Sequence, residues 1–230
     1  GDIMKISYNA AVLSEPVGSG KTVMILALIL SLPIPRPIAD IAIAPLSKYG
    51  TETPMVRREW PSVIRPTLIF VGLSVVKQWD VQIKRFTNLK TFVVDHVGQL
   101  RTLLKMLQDK TVNHYDIVLV KNSKITVPIK LPNGKELSAK NRGKNPFIYN
   151  IISEITEVCW PRVVVDDFDN IHLPSNASVI SSLFTWFVSS TRKSNMDIRM
   201  QQLTTINRAS EILKYMQHPC PYIMANQFMF

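Results

Sequence analysis

Residues 15–22 read EPVGSGKT, between the apolar run AAVL at 10–13 and the apolar run VMILALIL at 23–30. A short apolar strand, a glycine-rich turn and a long apolar helix in that order make an anion site. Backbone N–H groups converge at the turn, and the helix dipole adds partial positive charge to them. The last five residues, GSGKT, match the end of the phosphate-loop pattern G-x-x-x-x-G-K-[ST], whereas Glu15 stands at its first position in place of glycine. That position does not touch phosphate through its side chain, so the departure leaves the chemistry intact. Gly18, Ser19 and Gly20 are expected to offer main-chain donors, Lys21 to reach the outer phosphates, and Thr22 to ligate Mg²⁺ through its hydroxyl. The competing reading is a glycine turn with an exposed lysine.

A metal-bridged triphosphate needs a carboxylate at the end of a neighbouring buried strand, and RVVVDDFD at 162–169 supplies two in succession. Asp166 is expected to hold Mg²⁺ through water and Asp167 to orient the attacking water. An apolar strand ending in Asp-Asp also arises as a simple strand terminus or helix cap. Its pairing with GSGKT upstream favours the functional reading.

The rest of the chain alternates strands with helices. Strands are expected at 38–44, 67–71, 91–95, 116–120, 162–167 and 184–191. Amphipathic helices are expected at 74–86, with Ser74 as cap, at 99–108 and at 145–160. A short helix is expected within ASVISSLF at 177–184 and another near 204–217. Residues 45–66 carry four prolines and no helical period, as a surface excursion would, and 130–144 is expected to be a loop or hairpin turning at PNG. This pattern predicts an α/β fold with a mostly parallel sheet covered on both faces.

The 230 residues fit one large domain, and 27 Lys and Arg against 17 Asp and Glu give a net charge of +10. Such an excess suits a polyanionic partner. Within 130–144, five basic residues face Glu136 alone, for a net +4. Lys77, Lys84, Arg85 and Lys90 form a second basic group, which serves equally as a solvated helix face. Cys159 and Cys220 make no metal-ligand pattern and read as free thiols in a reducing compartment. The run VMILALILSL at 23–32 is too short to cross a bilayer, so no membrane partner is expected. No secretory signal is read at the N-terminus, and the abrupt start and end suit a fragment of a longer protein.

Taken in order, EPVGSGKT, PTLIFVGLSVVKQWDVQI, YDIVLVKNSKI, WPRVVVDDFDNIHLP and FTWFVSST resemble the first RecA-like lobe of superfamily 2 helicases, specifically the SWI/SNF type of DNA translocase. The resemblance covers residues 3–192. It is carried most by Pro66, Thr67, Leu68 and Ile69, followed by Ser74, Gln78 and Trp79. It implies a three-layer P-loop NTPase lobe over 1–192, with 193–230 an extension of the same lobe. It also implies ATP and Mg²⁺ as cofactors, duplex DNA as partner, and a second RecA-like lobe in the same or another chain. Lys21 and Thr22 would take the phosphate-loop roles, and Asp166 and Asp167 the first two acids of an Asp-Glu-x-His box. Ser189, Ser190 and Thr191 would form the coupling segment, preceded by Trp186. Segments near Ser74 and at 120–124 would touch the DNA backbone.

Three departures from that pattern bear on catalysis, the third of them at two positions. Asp167 replaces glutamate, Asp169 replaces histidine, and Thr185 and Arg192 replace the arginine and proline flanking the coupling segment. The shorter Asp167 loses about 1.5 Å of reach. The alternative to a DNA-dependent ATPase is therefore a catalytically degenerate, helicase-like scaffold in a nucleic-acid complex. A small-molecule kinase would need an arginine-rich lid, and Arg192, Arg199 and Arg208 show no spacing that forms one. Either helicase reading predicts an intracellular, DNA-containing compartment, and the divergent motifs suit a viral origin.

Overall fold

A computed structural model describes residues 10–35, 40–42, 55–57, 62–131, 133–137, 146–168, 170–171 and 180–190. In chain order it contains β1 (Ala10–Ser14), α1 (Lys21–Ser31), β2 (Asp40–Ala42), β3 (Met55–Arg57), β4 (Ser62–Val63), β5 (Thr67–Val71) and α2 (Val76–Phe86). There follow β6 (Thr91–Val94), α3 (Val97–Gln108), β7 (Ile117–Lys121), β8 (Ile129–Lys130), β9 (Glu136–Leu137), α4 (Ile148–Ser153), β10 (Val158–Asp166) and β11 (Ser182–Ser189). The main sheet has the order β1-β11-β10-β5-β7-β6, with β4 added beside the start of β10, and every pairing in it is parallel. The α/β class read from the sequence is the one observed.

The side-chain period of two decides how this sheet is covered. Leu68, Phe70, Val118, Val120, Val163 and Val165 point to one face, where they meet Leu100, Leu103 and Leu107 of α3 and Ile148, Ile151 and Ile152 of α4. Ile69, Val71, Ile117, Leu119 and Val164 point to the other face, against Ile25, Leu26 and Ile29 of α1 and Val76, Trp79 and Ile83 of α2. β5 is buried at all five positions, which is why it reads as an unbroken apolar run. The result is three layers, with α1 and α2 on the face that also carries the glycine turn.

Several elements differ from the sequence expectations. β10 starts at Val158, so the helix expected over 145–160 stops at Ser153. Val158 and Cys159 pair with Ser62 and Val63, and Trp160 pairs with Ser182, so sheet pairing claims the segment VCW. Ser182–Phe184, assigned to a short helix, already belong to β11. Ser74 does not cap α2: the helix begins one residue after Val75, whose N–H closes a turn onto Gly72 O at 3.4 Å. His96 caps α3 instead, accepting from Gln99 N while the Gln99 side chain accepts from His96 N.

β2 and β3 pair with each other as a separate antiparallel ribbon rather than joining the main sheet. The expected hairpin forms between β8 and β9, with Gly134 at φ 82°, and Ile129, Leu131 and Leu137 sink into the core. Asp169, His172, Thr191, Arg192, the basic residues Lys140, Arg142 and Lys144, Cys220 and the helix near 204–217 lie outside the described residues. Among the described residues, no helix is long and apolar enough to cross a membrane.

Candidate functional site

At the C-terminal edge of the sheet, Ser14 of β1 pairs with Ser189 of β11, and Asp166 of β10 pairs with Val188. The three strands therefore end together, at the edge where open parallel sheets bind ligands. The acid strand is not the immediate neighbour of the phosphate-loop strand, as the sequence suggested, because β11 lies between them. Two strand spacings put β1 and β10 about 10 Å apart, a span that suits a metal-bridged triphosphate.

The loop after β1 turns through Gly18 at φ 85° and Gly20 at φ 87°, left-handed conformations that disfavour a side chain. Gly20 is the N-cap of α1, and Met24 N donates to its carbonyl at 3.0 Å. α1 has no side-chain cap and no acid in its first turn, so its leading N–H groups are left to an anion. The Ser19 hydroxyl is buried and finds no partner among the described residues. A Cβ built on Gly18 or Gly20 would meet nothing within 4 Å, so the loop borders open space. These features fit a bound phosphate chain.

Lys21 donates from Nζ to the carbonyls of Glu15 at 2.7 Å and Pro16 at 2.8 Å. The ammonium thus bridges the mouth of its own loop, and it also lines a cavity of about 500 Å³. Gly18, Gly20 and Thr22 line the same cavity, as do Asp166 and Asp167. The sequence-derived loop and acids are brought together there, with Ser190 beside them. Ser189 is buried at the end of β11, and its carbonyl accepts from Glu15 N at 3.3 Å.

Asp166 is half-buried, and burial pushes its carboxyl above the ordinary carboxylate range. The indole N–H of Trp79 opposes that shift, the negative charge of Asp167 adds to it, and the Lys21 ammonium eases it. Asp166 Oδ2 accepts from Trp79 Nε1 at 2.6 Å, and Oδ1 accepts from Asp167 N at 3.1 Å. Asp167 stands at φ 54°, a left-handed conformation that Asp tolerates better than most residues. Its carbonyl accepts from Asn170 N and Ile171 N, each at 2.9 Å, and its Oδ1 accepts from Asn170 Nδ2 at 2.9 Å.

Sequence reasoning singled out Trp79 for the family resemblance, and in the structure this residue is only 2% exposed. That reasoning missed the hydrogen bond to Asp166. The signal was available: a buried indole must find an acceptor for its N–H, and a helix following a strand next to the acid strand is well placed to supply one. Asn170, one residue past Asp169, was also missed. Trp186 is partly buried against the α1–α2 layer, as expected of a core aromatic.

Residues 4–192 match the family model described as the SNF2-related domain. Among solved structures, the chain is similar to the Sulfolobus solfataricus SWI2/SNF2 ATPase core in complex with dsDNA, at 16% identity and a TM-score of 0.42. That match covers 95% of this chain and 33% of the other, so the chain spans about a third of its length. Neither match bears on a viral origin.

Proposed function

Because this chain belongs to the SNF2-related domain family, we propose that it is the ATP-binding lobe of a DNA-dependent ATPase of the SWI/SNF type. One observation carries this reading: the loop residues Gly18, Gly20, Lys21 and Thr22 and the acids Asp166 and Asp167 line a single cavity. The uncapped N–H groups of α1 and the main chain of the loop bind the phosphates. Lys21 exchanges its loop carbonyls for phosphate oxygens, and Thr22 and Asp166 would hold Mg²⁺, which would supply positive charge to the phosphate chain. Asp167 accepts a hydrogen bond from the attacking water and orients it.

A second RecA-like lobe, in the same or another chain, completes the cleft and supplies an arginine to the transition state, an effect of about 10³ to 10⁵ in rate. Duplex DNA is engaged through its backbone by the segments near Ser74 and at 120–124, in a DNA-containing compartment. The test is ATP turnover by the full-length protein with and without duplex DNA. Turnover that DNA stimulates and Asp167→Asn abolishes supports the motor. Flat baseline turnover in both supports the second reading, a catalytically degenerate scaffold. That reading is favoured by the short Asp167 carboxylate already engaged by Asn170 Nδ2.

A further inference from the structure

β5 lies directly beside β10, and the chain leaving β5 turns at Gly72 and enters α2 within five residues. The first turns of α2 therefore stand against the end of β10. Trp79 faces inward there with Val76 and Ile83, and its ring packs in the cluster that includes Ile69, Val71 and Val164. The ring is 2% exposed, yet its single polar atom is not spent on the protein backbone: Nε1 donates to Asp166 Oδ2 at 2.6 Å. The other oxygen of the same carboxylate accepts from Asp167 N at 3.1 Å. Two donors, one on each oxygen, fix the plane of the carboxyl group, and only the indole comes from outside the acid turn.

We propose that Trp79 is a positioning residue for the acid of the nucleotide site: its indole N–H sets the orientation in which Asp166 meets the nucleotide's metal. The proposal rests on the reading of Asp166 as the Mg²⁺-facing acid. A donor to a metal-facing carboxylate acts as the partners of metal ligands generally do, by removing rotamers in which the carboxylate is turned away. Here the donor is rigid, because an indole locked in a close-packed layer has no alternative position. The carboxylate keeps lone pairs on both oxygens for a water or a metal, since each oxygen accepts one hydrogen bond and has room for a second. Gln78, next to Trp79, and Gln82, three residues further along the same helix, line the same cavity. The wall of the nucleotide site is thus continuous with the helix that carries the donor.

The experiment compares binding of a fluorescent ADP analogue to the full-length protein and to Trp79→Phe, with and without Mg²⁺. Phenylalanine keeps most of the apolar burial and removes the N–H. The expected result is unchanged metal-free affinity, with the Mg²⁺ concentration giving half of the metal-dependent gain raised about 10- to 100-fold. Equal weakening with and without metal means that Trp79 only packs, and overturns the proposal, as does an unchanged Mg²⁺ requirement.

A second measurement needs no substitution and holds if Trp79→Phe does not fold. In the unsubstituted protein with ADP bound, the Trp79 indole N–H resonance is expected to shift when Mg²⁺ is added. A resonance that stays in place overturns the proposal. Failure of the unsubstituted protein to bind the nucleotide at all would instead remove the site reading beneath it, and the proposal with it.

Discussion

The ammonium of Lys21 donates to the carbonyl oxygen of Glu15 at 2.7 Å, so the phosphate loop is closed by its own lysine. A cation held by two neutral carbonyls is poised to leave them for an anion, since a phosphate oxygen adds a charge–charge attraction that a carbonyl dipole lacks. Lys21→Ala is expected to weaken ATP binding by at least about 2 kcal/mol, roughly thirtyfold. Equilibrium binding of a fluorescent ATP analogue measures this, and undiminished affinity would remove the assignment of the loop.

Asp167 combines a short side chain with a left-handed backbone at φ 54°. Asp167→Glu restores about 1.5 Å of reach at the position proposed to orient the attacking water. If the protein turns ATP over, the variant is expected to do so faster, by up to about a hundredfold. Glutamate tolerates the left-handed region less well, at a cost of about 1 kcal/mol, which lowers the thermal midpoint by about 2–4 °C. Faster turnover with lower stability is the expected pair. Slower turnover in Asp167→Glu would mean that reach is not what limits the site.

Burial raises the pKa of Asp166 in the folded protein above its unfolded value. Between the two values the folded state binds more protons, so the contribution of Asp166 to stability falls as pH rises through that window. In metal-free protein, wild type is expected to lose stability relative to Asp166→Asn as pH rises above the ordinary aspartate pKa of about 3.9. Denaturant midpoints of the two proteins at several pH values give the difference. The asparagine amide turns one donor toward another donor, Trp79 Nε1 or Asp167 N, which offsets the whole curve without changing its slope. A difference that is flat or rises with pH would contradict the burial argument.

Arg162 is 1% exposed, donates from Nη2 to Leu32 O at 2.7 Å at the end of α1, and has no partner for Nε among the described residues. Burial lowers its pKa from the ordinary arginine value to about 10. In that interval the unfolded chain binds more protons, so stability rises with pH there, and at neutral pH the charge is carried at a cost. Arg162→Met removes the charge and keeps the volume, and is expected to change stability by no more than about 1.5 kcal/mol. Arg162→Ala leaves a cavity and is expected to cost about 2–5 kcal/mol. Urea midpoints distinguish the two, and equal losses would show that the guanidinium itself holds α1 in place.

How much of this was legible in the sequence depended on range. The loop at 15–22 was readable because its chemistry is local: two glycines at positive φ, a lysine and a helix start within eight residues. β5 and β7 announced themselves as continuous apolar runs. The segment Val158–Trp160 did not, because its pattern suits a helix as well as a strand, and only pairing with Ser62, Val63 and Ser182 decides the matter. The same limit hid Trp79. Its partner Asp166 is 87 residues away in sequence, and no spacing rule joins an indole to a carboxylate over that distance.

β11 touches both halves of the site with its main chain, accepting from Glu15 N through Ser189 O at 3.3 Å and from Phe168 N through Val188 O at 3.1 Å. These two carbonyls belong to consecutive residues, so the strand works as a splint across the phosphate turn and the acid turn. Neither turn can slide along the sheet without the other. A pull on β11 at Ser190 would therefore reach the glycine turn and the Asp166–Asp167 turn together, with no side chain needed to relay it.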